Sequence, residues 1–322
     1  MTLRRVSWVL VSCVGLGLMG LLFVQQWQAE AATQLPVPQS EDPSSYVYLP
    51  LLSNGYVPPE MRLCRFGVGA GQGIGAYDVH PLKLGWYVDW TATLDHAQPG
   101  GIDYMPMIRL NQTGPDSYSY RPSPDRVLQI AVSQPGATWL IGNEPDRRVY
   151  QDDLVPSVYA KAYHELYHLI KTADPTAQIA AGSIVQPTPL RLQYLDMVLD
   201  SYALTYGTQM PVDVWNIHAF ILREEAGSWG ADIPPGIDVT QGMLYEINDN
   251  GSVPLFKEGI ERFRGWMADN GYQNRPLIIT EFGIQMPSDY GFPPERVRDF
   301  LKETFDYLST ASDAGTGYPA DD

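Results

Sequence analysis

Two cysteines, Cys13 and Cys64, occur in 322 residues. Cys13 lies inside an N-terminal apolar run, so a chain cleaved after that run keeps one thiol and no disulfide framework. Cys64 reads as a packed strand residue. Histidine is also scarce. The five are scattered, and no Cys/His group has the spacing of metal ligands. His164 and His168 stand four apart on an expected helix, but no acidic third ligand follows, and they read as a helix-surface pair. Basic residues are outnumbered, 21 Lys and Arg against 37 Asp and Glu, for a formal net charge of −16. A nucleic-acid partner needs clustered basic side chains, so none is expected. A dinucleotide fingerprint is missing as well. Gly67, Gly69, Gly71, Gly73 and Gly75 alternate without opening a helix, and no phosphate-binding lysine follows. That segment reads as a close-packed first strand and loop. No metal and no cofactor are expected, and a neutral substrate suits the composition.

What is present begins with an export signal. Arg4 and Arg5 precede an apolar run over residues 6–24, and Ala29-Glu30-Ala31 offers a small-x-small cleavage site. The run just reaches spanning length, so an uncleaved membrane tether is the alternative. A secreted or extracytoplasmic location is expected either way. Residues 1–31 are thus a signal peptide or anchor, 32–60 a Pro/Ser-rich linker, and 61–322 one folded domain, expected to be a monomer.

Within that domain short apolar runs alternate with amphipathic stretches. Strands are expected at 66–71, 84–90, 104–110, 138–144, 178–184, 214–220 and 277–282. Helices are expected at 126–133, 156–172, 190–206, 254–270 and 294–308, several with proline in the first turn, where its missing N–H costs nothing. This order predicts a parallel sheet. Seven such units favour an α/β fold of the (β/α)8 TIM-barrel class. Residues 309–322 hold no apolar run for an eighth strand, and an open barrel exposes unpaired edges. The sequence is therefore expected to be cut short before that strand.

Two of the expected strands end in a carboxylate. One is Trp139-Leu140-Ile141-Gly142-Asn143-Glu144-Pro145, and the other Pro276-Leu277-Ile278-Ile279-Thr280-Glu281-Phe282-Gly283. A parallel strand covered on both faces is near-continuously apolar, so glutamates at its tip are not solvated charges by default. Strand tips form the active-site face of a barrel. Glu144 ends the fourth strand and Glu281 the seventh, on opposite sides of the mouth. Two carboxylates facing each other there are the equipment for glycosidic cleavage. One must hold a proton near neutral pH while the other stays ionised.

These motifs resemble glycoside hydrolase clan A, the retaining (β/α)8 hydrolases, over roughly residues 66–308. The resemblance implies that Glu144 is the general acid/base, Glu281 the nucleophile, and Asn143 the partner of the sugar 2-hydroxyl. Asn143 to Asp146, with Val212 to His218 on the sixth strand, is similar to the endo-β-1,3-glucanase branch. Clan members place an aromatic on the eighth strand, which this sequence does not reach.

Other residues join the candidate site by position. His218 ends the sixth strand and either bonds Glu281 or a sugar, or is a satisfied core histidine. Asn216 shares its side of the strand. Arg109, near the third tip, either steadies a carboxylate or sugar hydroxyl or forms a structural ion pair. Trp90 closes the second strand as a stacking platform. Trp229 is a second candidate platform, in the long stretch 221–253 on the catalytic face. Trp86, Trp139 and Trp215 are expected to pack inside. The implied substrate is a β-linked polysaccharide or oligosaccharide.

Overall fold

A computed structural model describes residues 65–317. The signal, tether and linker expectations lie outside the described residues, as does Cys64. Among the described residues no helix is long and apolar enough to cross a membrane.

The architecture is mixed α/β with parallel strands in two sheets. One sheet has the order β1 (Gly67–Gly69), β2 (Trp86–Val88), β3 (Asp103–Tyr104), all parallel. The other contains β4 (Met107–Gly114), β5 (Ser117–Arg121), β6 (Thr138–Ile141), β7 (Gln178–Ile184), β8 (Val214–Ala219) and β9 (Leu277–Phe282), in the order β5-β4-β6-β7-β8-β9. Only β5 is antiparallel, paired with β4 in a hairpin.

The expected third strand is thus divided into β3 and β4. Pro106 sits at the break, where it has no N–H for a ladder. The two halves still join their neighbours: Met105 N donates to Tyr87 O (3.0 Å), Met107 N to Thr91 O (2.7 Å) and Leu140 N to Pro106 O (2.9 Å). Counting β3 and β4 as one divided strand, seven parallel strands therefore run from β1 to β9, as the sequence pattern suggests. No hydrogen-bonded ladder closes the ring and no eighth strand occurs among the described residues. Instead β1 and β9 touch. Phe305 packs on Phe66 (5.0 Å between centroids) and on Phe282 (5.7 Å), covering that seam.

The helices are α1 (Pro124–Ser133), α2 (Pro156–Ala173), α3 (Pro189–Tyr206), α4 (Val253–Asp269) and α5 (Pro294–Thr310). Each has proline in its opening turn. Gly207, at φ 69°, ends α3 in the left-handed conformation that glycine adopts without strain. In α2 the buried residues Tyr159, Ala162, Tyr163, Leu166 and Ile170 recur at three- and four-residue spacing, one apolar stripe. That stripe positions chemistry as well as core. The Tyr159 hydroxyl donates to Ile141 O (2.9 Å) and accepts from Gly182 N (3.0 Å), tying β6 to β7 near their ends. Trp139 and Trp215 are wholly buried, as expected. Each such side chain contributes about 2–3 kcal/mol through its removal from water.

Candidate active site

Glu144 is not on a strand. β6 ends at Ile141, and the chain then turns through Gly142 (φ 87°) to Glu144 (φ 48°). A left-handed glutamate is strained by roughly 1–3 kcal/mol and persists only where its surroundings impose it. Here Glu144 N donates to Ser183 O (3.0 Å). Asp152 Oδ2 accepts from the backbone N–H of Asn143 (2.8 Å) and of Leu110 (2.9 Å), fixing the turn. The Glu144 side chain is buried all the same.

Glu281 lies within β9. A register shift after Ile217 brings His218 opposite Glu281 in the ladder. The buried imidazole therefore stands between the two glutamates. Its Nδ1 is 2.9 Å from Glu144 Oε1, and its Nε2 is 3.5 Å from Glu281 Oε1. The second distance is that of an ion pair, since Nε2 makes no hydrogen bond among the described residues. One oxygen of each glutamate and one imidazole nitrogen lie within 4.8 Å of one another. The carboxylates do meet around one site.

Their surroundings treat the two acids differently. Burial pushes the Glu144 carboxyl up, but the His218 hydrogen bond and charge, with Arg147, outweigh it and hold Glu144 below the usual carboxylate range. Arg147 Nη1 is 3.1 Å from Glu144 Oε2. Burial also pushes Glu281 up; the His218 charge opposes this, the Glu144 charge reinforces it, and the net shift is upward. Burial disfavours the imidazolium of His218, yet Glu281 and then Glu144 raise its pKa.

Trp90 reaches the site in an unexpected role. Its Nε1 donates to Glu281 Oε1 at 2.6 Å. The alternating glycines explain how an indole fits there. A Cβ on Gly69 would come within 2.7 Å of the Trp90 ring, and one on Gly67 within 2.1 Å of Trp86. So Trp90, expected as a sugar platform, is a donor to the second glutamate.

Four other expectations need correction or refinement. Asn216 does not face a substrate. It is wholly buried, donating from Nδ2 to Ser183 Oγ (2.7 Å) and accepting at Oδ1 from Thr280 Oγ1 (2.9 Å), a polar rung across β7, β8 and β9. Arg109 forms the structural ion pair, with Nε 2.7 Å from Asp152 Oδ1 and Nη2 donating to Gln151 Oε1 (3.0 Å). Trp229 is partly buried against Val185, Phe220, Leu222 and Ala231, and Phe220 in turn meets the His218 ring edge-on. Asn143 is buried; its Nδ2 donates to Gln151 Oε1 (3.0 Å), while its Oδ1 has no partner among the described residues.

Sequence reasoning missed the residues that clamp the site. Arg147 bridges Glu144 and the carbonyl of Gly230 (3.5 Å), next to Trp229. Its signal was its position three residues beyond Glu144. Arg191, fully buried, binds Asp146 Oδ2 (2.9 Å), Glu224 Oε1 (3.0 Å), and the carbonyls of Ala231 (2.8 Å) and Asp232 (2.7 Å). It fastens the turn after Glu144 to the stretch after β8. An arginine inside a helical pattern gives no such sign.

Glu144, His218 and Glu281 are also the group of three donors among the described residues able to approach one metal ion. His218 Nδ1 is already bonded to Glu144, and the Arg147 guanidinium beside Glu144 opposes a second cation. The His164 ring stacks on Tyr206 (3.5 Å) and its Nδ1 meets Tyr202 Oη (2.8 Å).

Neither a known family's sequence pattern nor a curated protein matches this chain. Solved structures do. It is similar to a GH128 (subgroup II) endo-β-1,3-glucanase from Sorangium cellulosum, at 20% identity and TM-score 0.44, over 71% of this chain and 75% of that one. A monomeric β-xylosidase from Caulobacter crescentus CB15 matches at 14% identity and TM-score 0.40, over 65% and 48%. A bifunctional glucanase-xylanase from a metagenome library matches at 14% identity and TM-score 0.37, over 65% and 58%. All are glycoside hydrolases, the class that the two glutamate motifs resemble. At such scores the fold and the chemistry rest on the strands and side chains described above.

Proposed function

We propose that this protein is an exported retaining glycoside hydrolase acting on a β-linked polysaccharide through double displacement. The observation that carries this reading is the approach of Glu144 and Glu281 to within 4.8 Å around His218. Retaining glycosidases hold their carboxyls about 5–5.5 Å apart, whereas inverting ones need roughly 6.5–9.5 Å to admit water. Attack by Glu281 on the anomeric carbon forms a glycosyl-enzyme as the glycosidic oxygen leaves with a proton from Glu144. Glu144 then takes a proton from water, which displaces Glu281 and regenerates both groups. The buried Asn143 Oδ1, without a partner among the described residues, suits a sugar hydroxyl donor. Export rests on residues 1–31, the monomer on the expected single domain, and no cofactor is required.

The electrostatics bear on which glutamate does what. Glu144 is held low and Glu281 high, the reverse of what acid and nucleophile need. The roles assigned here follow the sequence motifs, and azide rescue of alanine variants reads them directly. Glu281→Ala should yield a glycosyl azide of inverted anomeric configuration, and Glu144→Ala one of retained configuration. The opposite pattern exchanges the roles.

The test of the reading itself is hydrolysis of β-glucan, xylan and mannan with product stereochemistry followed by NMR. Turnover that survives both Glu144→Gln and Glu281→Gln would falsify it. Activity lost to a chelator and restored by a divalent ion would instead make the same triad a metal centre.

A further inference from the structure

We infer that the hairpin beside the glutamate pair is a binding site for an anionic sugar unit of the substrate, a residue bearing a carboxylate. The inference rests on the glycosidase reading and narrows its substrate to an acidic polysaccharide.

The hairpin has two unlike faces. Leu110, Tyr118 and Tyr120 join the hydrophobic core. On the other face Arg109 pairs directly with Arg121, and Asn111 with Ser119. Like charges opposite each other across a ladder are destabilising. This pair lines a cavity of about 380 Å³, together with Asn111, Tyr120, Tyr150 and Gln151. Arg109 is served by Asp152 and Gln151. No hydrogen bond or ion pair engages the exposed Arg121 guanidinium among the described residues. Asp152 is the one acid lining the cavity, against two arginines. Its Oδ1 is bound by Arg109 and its Oδ2 by two backbone N–H groups. The cavity therefore carries a positive balance in a chain of formal charge −16.

The cavity is also next to the chemistry. Gln151 Oε1 accepts both from Arg109 Nη2 and from Asn143 Nδ2, each at 3.0 Å, and Asn143 precedes Glu144 in the chain. The exposed Tyr150 supplies a ring face for a sugar to stack on. A guanidinium fork matches a planar carboxylate through two parallel hydrogen bonds. A sulfate ester presents the same anionic oxygens, and the experiment separates the two.

The Glu281→Gln chain, which binds without turning over, is titrated with three polymers of one β-linked backbone: a glucuronate-bearing form, the same polymer after carboxyl reduction, and a sulfated form. The uronate polymer should bind about tenfold tighter than the reduced one, the effect of one charge-assisted hydrogen bond. Arg121→Gln should abolish that difference while moving affinity for the reduced polymer by less than about twofold. Arg121→Lys, which keeps charge but not the fork, should keep only part of it. A sulfated polymer that binds tighter still, again through Arg121, supports the site with a sulfate ester as its ligand. Equal affinity for acidic and reduced polymers overturns the proposal, as does a preference that survives Arg121→Gln. Absence of turnover in the parent chain with this difference intact sinks the glycosidase reading alone.

Discussion

The two flanks of the site are built differently. On one side β6, β7 and β8 are buried along nearly their whole length and backed by α2 and α3. On the other, β1, β2 and β3 are two or three residues long, joined by short 3-10 turns. Glu281 is held from both, by His218 of the thick flank and by Trp90 of the thin one. The difference implies a division of labour. Damage to the thick flank should cost folding, and damage to the thin flank should cost chemistry.

The largest expected effect joins both flanks. Glu144→Gln should lower kcat/KM by about 10³-fold, the scale of losing one positioned proton-transfer group, and Glu281→Gln, which removes the attacking carboxylate, by at least as much. Circular dichroism should stay unchanged. A loss confined to KM would break the shared role.

Stability should separate the flanks next. Arg191→Met strands the buried carboxylates of Asp146 and Glu224. Breaking such a pair costs about 3–5 kcal/mol. The melting temperature should fall by roughly 10 °C, given about 2–4 °C per kcal/mol at this size. A scan showing less than a few degrees of change would refute the dependence on this guanidinium. Trp90→Phe, on the thin flank, should instead leave melting nearly unchanged and reduce kcat/KM by about tenfold, the worth of one hydrogen bond to a charged group. The sign of its pH effect follows from the bond. Trp90 N–H favours ionised Glu281. Removing it raises that pKa, so the acidic limb of the kcat/KM profile should move to higher pH.

Phe305→Ala probes the seam between β1 and β9. The ring is 38% exposed, so the loss should stay near 1–2 kcal/mol, below the 3–5 of a fully buried phenylalanine. Urea denaturation measures it.

The smallest effect is on pH. His218, with a raised pKa, stabilises fully below the ordinary imidazole value near 6.5 and loses that contribution as pH rises through its folded pKa. Glu144, with a lowered pKa, stabilises above the ordinary carboxylate value near 4.3 and loses it as pH falls through its folded pKa. Glu281, raised, works against Glu144 as pH climbs past about 4.3. Melting temperature should therefore peak between about pH 4.3 and 6.5, and His218→Gln should flatten the peak.

Much of this was legible in the chain, for identifiable reasons. Residues 178–184 and 277–282 match their strands at both ends, because each apolar run is bounded by a sharp change in hydropathy. The two glutamate motifs stand in the same site. The hairpin was missed, although Ser117-Tyr118-Ser119-Tyr120 alternates with a strand's period, because the turn residues before it resemble a loop. The expected end of the fourth strand at Glu144 was wrong by a turn, since Gly142 and Asn143 already leave the sheet. Trp90 and Asn216 were assigned by position alone. What they do is set by partners 191 and 64 residues away, and no local pattern encodes such a contact.

Arg191 has one more consequence, for anyone who would re-engineer specificity. The stretch after β8 is bolted to the turn that carries Glu144 by the buried Arg191 guanidinium, with Arg147 and Arg148 adding bonds to Gly230, Ile233 and Pro234. It is not a detachable cassette. A transplant from another scaffold that omits the matching carbonyls and Glu224 would leave Arg191 stranded and slacken the acid it was meant to serve.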